Sequence, residues 1–332
     1  LCTSTYLADV ELKDNFWKTD ANVMDEILPK NSLLLNNVTI IILLINGILA
    51  LIINVLLAYF TFQKCKPKVN NYFNAGFISG NIVASAGYVC CSARRLFFTT
   101  GNKNATRLEC IVESWNILPF MSGLFFSCLN LLLIAVERFY KVLRPYKCNY
   151  FNNKVRPTLL YTALVITSII IMFVLIDALL SASKNNYIND NCFIIEVIPM
   201  QFYIGFWAFY VSVYYMTMLI YFFIYFLIVF QKKNKVSGVR AIQAQREAVV
   251  TKRIFILAVF CFIIQALPLT VLLAIHKRSF IYFDRLLRFL ENLNLFFIPI
   301  VFIFTNPCYY KYVRQILLKY RNLCSCSDFI GI

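Results

Sequence analysis

An all-α membrane protein, a bundle of seven transmembrane helices with its N-terminus outside, is the fold class this sequence predicts. Three observations carry the prediction. Of 332 residues, 60% are hydrophobic and only 14% charged, with a mean hydropathy of +0.69. A soluble domain has about 45–50% apolar and about 25% charged residues, so the chain falls in the polytopic membrane class. Seven apolar runs each supply the roughly 20 residues a helix needs to cross a bilayer. Finally, the basic residues gather in alternate connections between those runs.

The runs fall at 38–62, 72–96, 112–137, 157–181, 202–231, 252–275 and 287–310. They are too long for barrel strands, and backbone polar groups in hydrocarbon must be paired internally, so each is read as a helix. One set of connections holds Lys64, Lys66 and Lys68, then Lys141, Arg144, Lys147, Lys154 and Arg156, then Lys232 to Arg253. The other set holds most of the acids, including Asp9, Glu11, Asp14 and Asp20. The positive-inside rule then places residues 1–37 outside, 38–310 in the bundle, and 311–332 in the cytoplasm. In that tail, aromatic and aliphatic residues alternate with Lys311, Arg314, Lys319 and Arg321. The pattern suits a short amphipathic helix on the inner membrane surface. Cys324 and Cys326 beyond it are palmitoylation candidates, with free cytosolic thiols the equal alternative.

A net charge of +16 could suggest a nucleic-acid partner, but its placement in loops is that of membrane topology and excludes that class. Twelve cysteines form no CxxC pair and His276 is the single histidine, so no metal or cofactor is expected. Two sequons, Asn37-Val-Thr39 and Asn104-Ala-Thr106, fall on the outer side and make Asn37 and Asn104 glycosylation candidates.

Two short motifs sit at the inner ends of spans. The third ends in Glu137-Arg138-Phe139, followed by Pro145; the seventh ends in Asn306-Pro307-Cys308-Tyr309-Tyr310. Taken alone, Glu137 and Arg138 are either an interfacial anchor pair, snorkelling to the membrane edge, or a switch. Together the motifs resemble the E/D-R-Y and N-P-x-x-Y signatures of rhodopsin-like (class A) G-protein-coupled receptors. Asn54 in the first span, the entry to the second at 70–81, and Phe262 and Pro268 in the sixth agree with that family. The resemblance covers nearly the whole chain except about the first thirty residues and the last few.

What the resemblance implies is a plasma-membrane receptor that converts binding of an extracellular ligand into activation of a heterotrimeric G protein. Glu137 would hold Arg138 until activation, with Glu247 a second partner. Pro268 and Pro307 would kink the sixth and seventh helices. Asn306 would satisfy a freed carbonyl and Tyr310 would swing its hydroxyl between packing sites, while Pro119 and Pro299 are given a structural role. Cys110 and Cys192 would form the family's disulfide on the oxidising side.

The departures are equally specific. Asn81 stands where the family has an aspartate, beside Ser127 and with Phe302 replacing a polar partner, so no strong sodium effect is expected. Ala266 stands where the family has a tryptophan. Phe120 and Ile300 stand where aminergic receptors and opsins need an aspartate and a lysine, which disfavours monoamines and retinal. So divergent a pattern resembles chemosensory or orphan branches, such as nematode serpentine chemoreceptors. Phe120, Tyr203, Phe206 and Ala266 are candidate pocket residues, and Arg95 or Arg288 could fork onto the carboxylate of a peptide or small acid. A transporter or channel is the runner-up, though inverted repeats are absent. No paired carboxylates or histidine clusters suggest an enzyme.

Overall fold

The computed structural model describes residues 31–63, 72–97, 104–114, 117–143, 155–182, 187–189, 192, 197–233, 239–275, 280–305, 309–310, 313–315 and 318. Pro145, Asn306, Pro307, Cys324, Cys326 and most of the expected amphipathic tail lie outside them, and Glu247, Asn37, Asn104 and Arg288 are described by backbone alone. Two compact units divide the chain, Leu1–Ile42 and Leu43–Ile332. In the first, helix begins at Asn31, and Val38, Ile41 and Ile42 are exposed. Everything below concerns the second.

The element order is α1 (Asn31–Gln63), α2 (Tyr72–Phe97), β1 (Asn104–Thr106), α3 (Arg107–Ser114), α4 (Ile117–Leu143) and α5 (Val155–Ala182). Then follow β2 (Tyr187–Asn189), α6 (Met200–Lys233), α7 (Val239–Cys261), a π-turn (Phe262–Ala266), α8 (Leu267–Ile275) and α9 (Phe280–Thr305). Among the described residues, six stretches are long and apolar enough to cross a membrane: Val38–Gln63, Tyr72–Phe97, Ile117–Leu143, Val155–Asp177, Gln201–Phe230 and Ala248–Val271. The chain is thus a multi-pass membrane protein. The seventh expected run is helical within Phe280–Thr305, and its apolar described stretch is Leu293–Phe304.

Burial follows the bilayer's logic. The core is aromatic and aliphatic, including Phe73, Phe77, Leu124, Phe125, Tyr210 and Leu295. The outward faces of α5 and α6 are also apolar, with Leu164, Met172, Phe173, Phe222 and Phe226 exposed. Contiguous apolar surface of this kind suits lipid and not water. Hydroxyls inside the helices bond back to the preceding turn, as Thr61 does to the Leu57 carbonyl at 2.7 Å and Thr167 to that of Ala163 at 2.8 Å. At the α2–α4 interface the two backbones approach closely. A Cβ on Gly80 would stand 2.7 Å from the Ser127 amide nitrogen and 2.8 Å from the Gly123 carbonyl oxygen.

Several boundaries differ from the sequence reading: α1 begins at Asn31 against 38, α7 at Val239 against 252, and α9 runs Phe280–Thr305 against 287–310. The third span was expected over 112–137, but α4 starts at Ile117 and continues to Leu143, with the short α3 before it. It extends because Lys141, one turn past Glu137, can bond that carboxylate instead of leaving the helix. The two-stranded pair was not expected. In it Asn104, Ala105 and Thr106 face Asn189, Ile188 and Tyr187.

Candidate functional site

At the end of α4 the side chains of Glu137, Arg138 and Lys141 are all more than nine-tenths buried, as is Arg156 in the first turn of α5. A carboxylate there costs free energy unless its charge is met at close range. Two cations meet it. Lys141 Nζ lies 2.8 Å and Arg156 Nη2 2.9 Å from the same Glu137 oxygen. The sequence reading gave Glu137 to Arg138; the clamp described on its carboxylate is Lys141 of α4 and Arg156 of α5. Arg138 and Glu137 both lie close enough to the buried Tyr221 hydroxyl of α6 to act on it electrostatically. That hydroxyl has no hydrogen-bond partner among the described residues. Phe255 of α7 packs on the Tyr221 ring at 6.0 Å. Phe139 is half-buried against α6 and α7 side chains.

Helix α9 shows why Asn54 is buried. Pro299 lies inside α9 and has no amide hydrogen, so the Leu295 carbonyl four residues earlier loses its helical donor. Asn54 Nδ2 donates to that carbonyl at 3.1 Å and to Ala50 O of its own helix at 2.8 Å. The resemblance gave the task of serving a freed carbonyl to Asn306 at Pro307. Of the described prolines, Pro299 is the one whose missing bond is met this way. Likewise the buried tyrosine is Tyr309, whose hydroxyl lies 2.9 Å from Thr61 Oγ1 and whose ring packs on Phe302. Tyr310 is exposed beside Phe304. The spacing i to i−4 was the signal available for Pro299; nothing in the sequence separates the two tyrosines.

Higher in the bundle, the expected helix-core polar residues Asn81 and Ser127 are buried, Ser127 bonding the Leu124 carbonyl at 2.9 Å. Between α6, the π-turn and α9 runs a network the sequence reading missed. Tyr214 Oη donates to Gln265 Oε1 at 2.9 Å, Asn294 Nδ2 donates to the same oxygen, and Tyr210 Oη lies 3.3 Å from Tyr214 Oη. The π-turn stands just before Pro268. Its wider turn, with the Leu267 amide bonded to the Phe262 carbonyl, accommodates the proline ring that would clash in a regular helix. Ala266 is fully buried, and Phe262 is half-buried, edge-on to Tyr215 at 5.0 Å. Lone amides in apolar runs are costly without partners, which was the signal available for Gln265 and Asn294.

The candidate pocket residues are core. Phe120 packs on Tyr88 at 5.5 Å, Phe206 on Phe125 at 5.7 Å, and Tyr203 on Trp207 at 6.0 Å. Arg95 is half-buried in the last turn of α2.

At the opposite end of α4, Cys110 and Cys192 are joined, as the resemblance implied. They close a separation of 82 residues and are both buried. A bridge of this reach typically stabilises by about 2–5 kcal/mol. Thr106 and Glu109 form a reciprocal cap on α3. Thr106 N donates to Glu109 Oε2 at 2.6 Å, and Glu109 N to Thr106 Oγ1 at 3.2 Å. The two Thr106 bonds hold the exposed Glu109 carboxyl below its ordinary value of 4.5. A depressed carboxylate contributes stability above its unfolded pKa and loses it as pH falls through the folded one. Protection of α3 amides from hydrogen exchange, taken relative to the intrinsic rate at each pH, is expected to be highest at pH 7 and to fall below about pH 4.5, with Glu109→Gln removing that fall. Equal pH profiles in both proteins would count against the cap.

The chain matches no model of a known protein family, and no curated protein matches it.

Proposed function

We propose that the chain is a divergent rhodopsin-like G-protein-coupled receptor of the plasma membrane. It would answer an extracellular peptide or small chemosensory molecule by activating a heterotrimeric G protein. The observation that supports this most is the layer at the end of α4, where Glu137 is clamped by Lys141 and Arg156 and Arg138 is buried beside it within electrostatic reach of Tyr221. An interfacial anchor pair would snorkel into the headgroups; here both side chains are buried.

In this reading α9 is the seventh span, the N-terminus is outside, and the Arg138 end of the bundle faces the cytoplasm. The Cys110–Cys192 bridge then lies on the oxidising side, with Asn37 and Asn104 as glycosylation sites and Cys324 and Cys326 as palmitoylation sites. Ligand binding acts by favouring a state in which the lower part of the sixth span has moved outward and exposed Arg138.

Nucleotide exchange on G proteins in cells expressing the full chain tests the reading. Arg138→Ala at normal surface level is expected to cut exchange at least tenfold. Exchange equal in both proteins would overturn the proposal, as would solute flux without any exchange, which points to a transporter.

A further inference from the structure

Ala266 of the π-turn has no group that could tie it to a neighbouring helix, so another side chain must hold this turn. We propose that Gln265 is that device: a side-chain latch that pins the π-turn to α6 and α9 and whose release frees the lower half of the span. The inference rests on the receptor reading for its purpose, but not for its geometry.

Three features place the latch. First, it sits at the only described π-turn, immediately before Pro268, where the backbone ladder is already interrupted and bending is cheapest. Second, one oxygen receives both neighbours. Gln265 Oε1 accepts from Tyr214 of α6 and from Asn294 of α9, and all three residues are at least 98% buried. Breaking either bond in a dry interior leaves a polar group unmet, so the closed arrangement resists small displacements and then gives way as a unit. Third, the closed state is not fully satisfied. Gln265 Nε2 and Asn294 Oδ1 have no hydrogen-bond partner among the described residues. Both amides thus keep unused hydrogen-bonding capacity for a second arrangement, which a switch requires.

A continuous path leads to it from the opposite end of α6. Tyr203, Trp207, Tyr210 and Tyr214 recur at helical spacing on one face. Their rings meet edge-on at 6.0, 5.5 and 5.0 Å in succession. Edge-to-face contacts in a packed core transmit displacement because no ring can move without its neighbour. A ligand that shifts Tyr203 thus pushes on the hydroxyl that Gln265 holds.

The test is the separation between Tyr140 of α4 and Val249 of α7, both exposed. Genetically encoded nitroxide residues at these positions would be read by electron–electron resonance on the full chain in nanodiscs. Gln265→Leu and Tyr214→Phe are each expected to lengthen the mean distance by several ångströms and to raise ligand-free nucleotide exchange at least threefold. Tyr214→Phe removes one hydroxyl and keeps the ring, so it reports even where Gln265→Leu fails to fold. Thr270→Val, which removes a back-bond to Ala266 on the same span, is expected to change neither. Unchanged distance in Tyr214→Phe, or an equal change in Thr270→Val, would overturn the latch. Lengthened distance with no exchange in any variant, wild type included, would leave the latch standing and remove the receptor.

Discussion

Gly123→Leu is expected to yield no folded protein at the cell surface, and Gly123→Ala to yield much less than wild type. The cause is the α2–α4 approach. A Cβ at Gly123 would run into the backbone of Ala84 and the Gly80 carbonyl, and one at Gly80 into the Ser127 amide. These are backbone atoms in regular helices, with no side chain to turn aside, so the helices must separate. Overpacking a core costs roughly 1–3 kcal/mol where neighbours can adjust, and more where they cannot. Separation would also uncover Phe77, Leu124 and Ser127, which the close approach buries. Gly205 is the control. Nothing lies within 4 Å of its Cβ position, so Gly205→Ala is expected to be neutral or to stabilise α6 by up to about 1 kcal/mol. Surface level and thermal inactivation of the purified chain measure both. Equal behaviour of the 123 and 205 variants would mean that the helix contact is not as close as described.

Glu137→Ala is expected to be the most damaging single change among the charged residues. It removes the acid shared by Lys141 and Arg156 and leaves two cations buried without it. Breaking a buried pair from one side costs about 3–5 kcal/mol, mostly from the charge left behind. Glu137→Gln keeps an acceptor and the volume, so it is expected to fold better than Glu137→Ala while weakening the clamp. In the receptor reading it raises basal exchange, because α4 and α5 are then less firmly tied beside Arg138. The double variant Glu137→Met with Arg156→Met discriminates pairing from packing. Recovery of stability relative to Glu137→Ala supports the clamp; additive losses would refute it.

How much of this was legible beforehand depends on which force set the feature. Some span positions were, because bilayer thickness and apolar content set them: 72–96 against Tyr72–Phe97 and 157–181 against Val155–Ala182 differ by two residues at most, whereas the helices containing the first and sixth runs begin well before 38 and 252, at Asn31 and Val239. The end of the third span was not. Charges at Glu137 and Arg138 read as a terminus, yet Lys141 and Arg156 together carried helix six residues further. The Arg156 pairing crosses helices and is a tertiary fact that no linear pattern encodes, while Lys141 stands one turn on from Glu137 in the same helix. Gln265 and Asn294 were passed over for the same reason: one amide in each of two apolar runs, 29 residues apart, meets its partner only after packing. The motif at Asn306-Pro307 lies outside the described residues, and the carbonyl bond that is described, at Pro299, carries no signature of its own, since a short pattern says nothing of which buried amide is opposite.

The Asn54 bond to Leu295 O carries a consequence for descent. A side chain that grips a partner's backbone places no demand on the side chain at that position. Residue 295 is thus at liberty to drift among apolar types, while 54 and 299 are tied to one another. If a lineage lost the proline, its helix would recover its own donor, and the asparagine would become a buried liability. In related chains the two positions should change together, with 295 wandering between them.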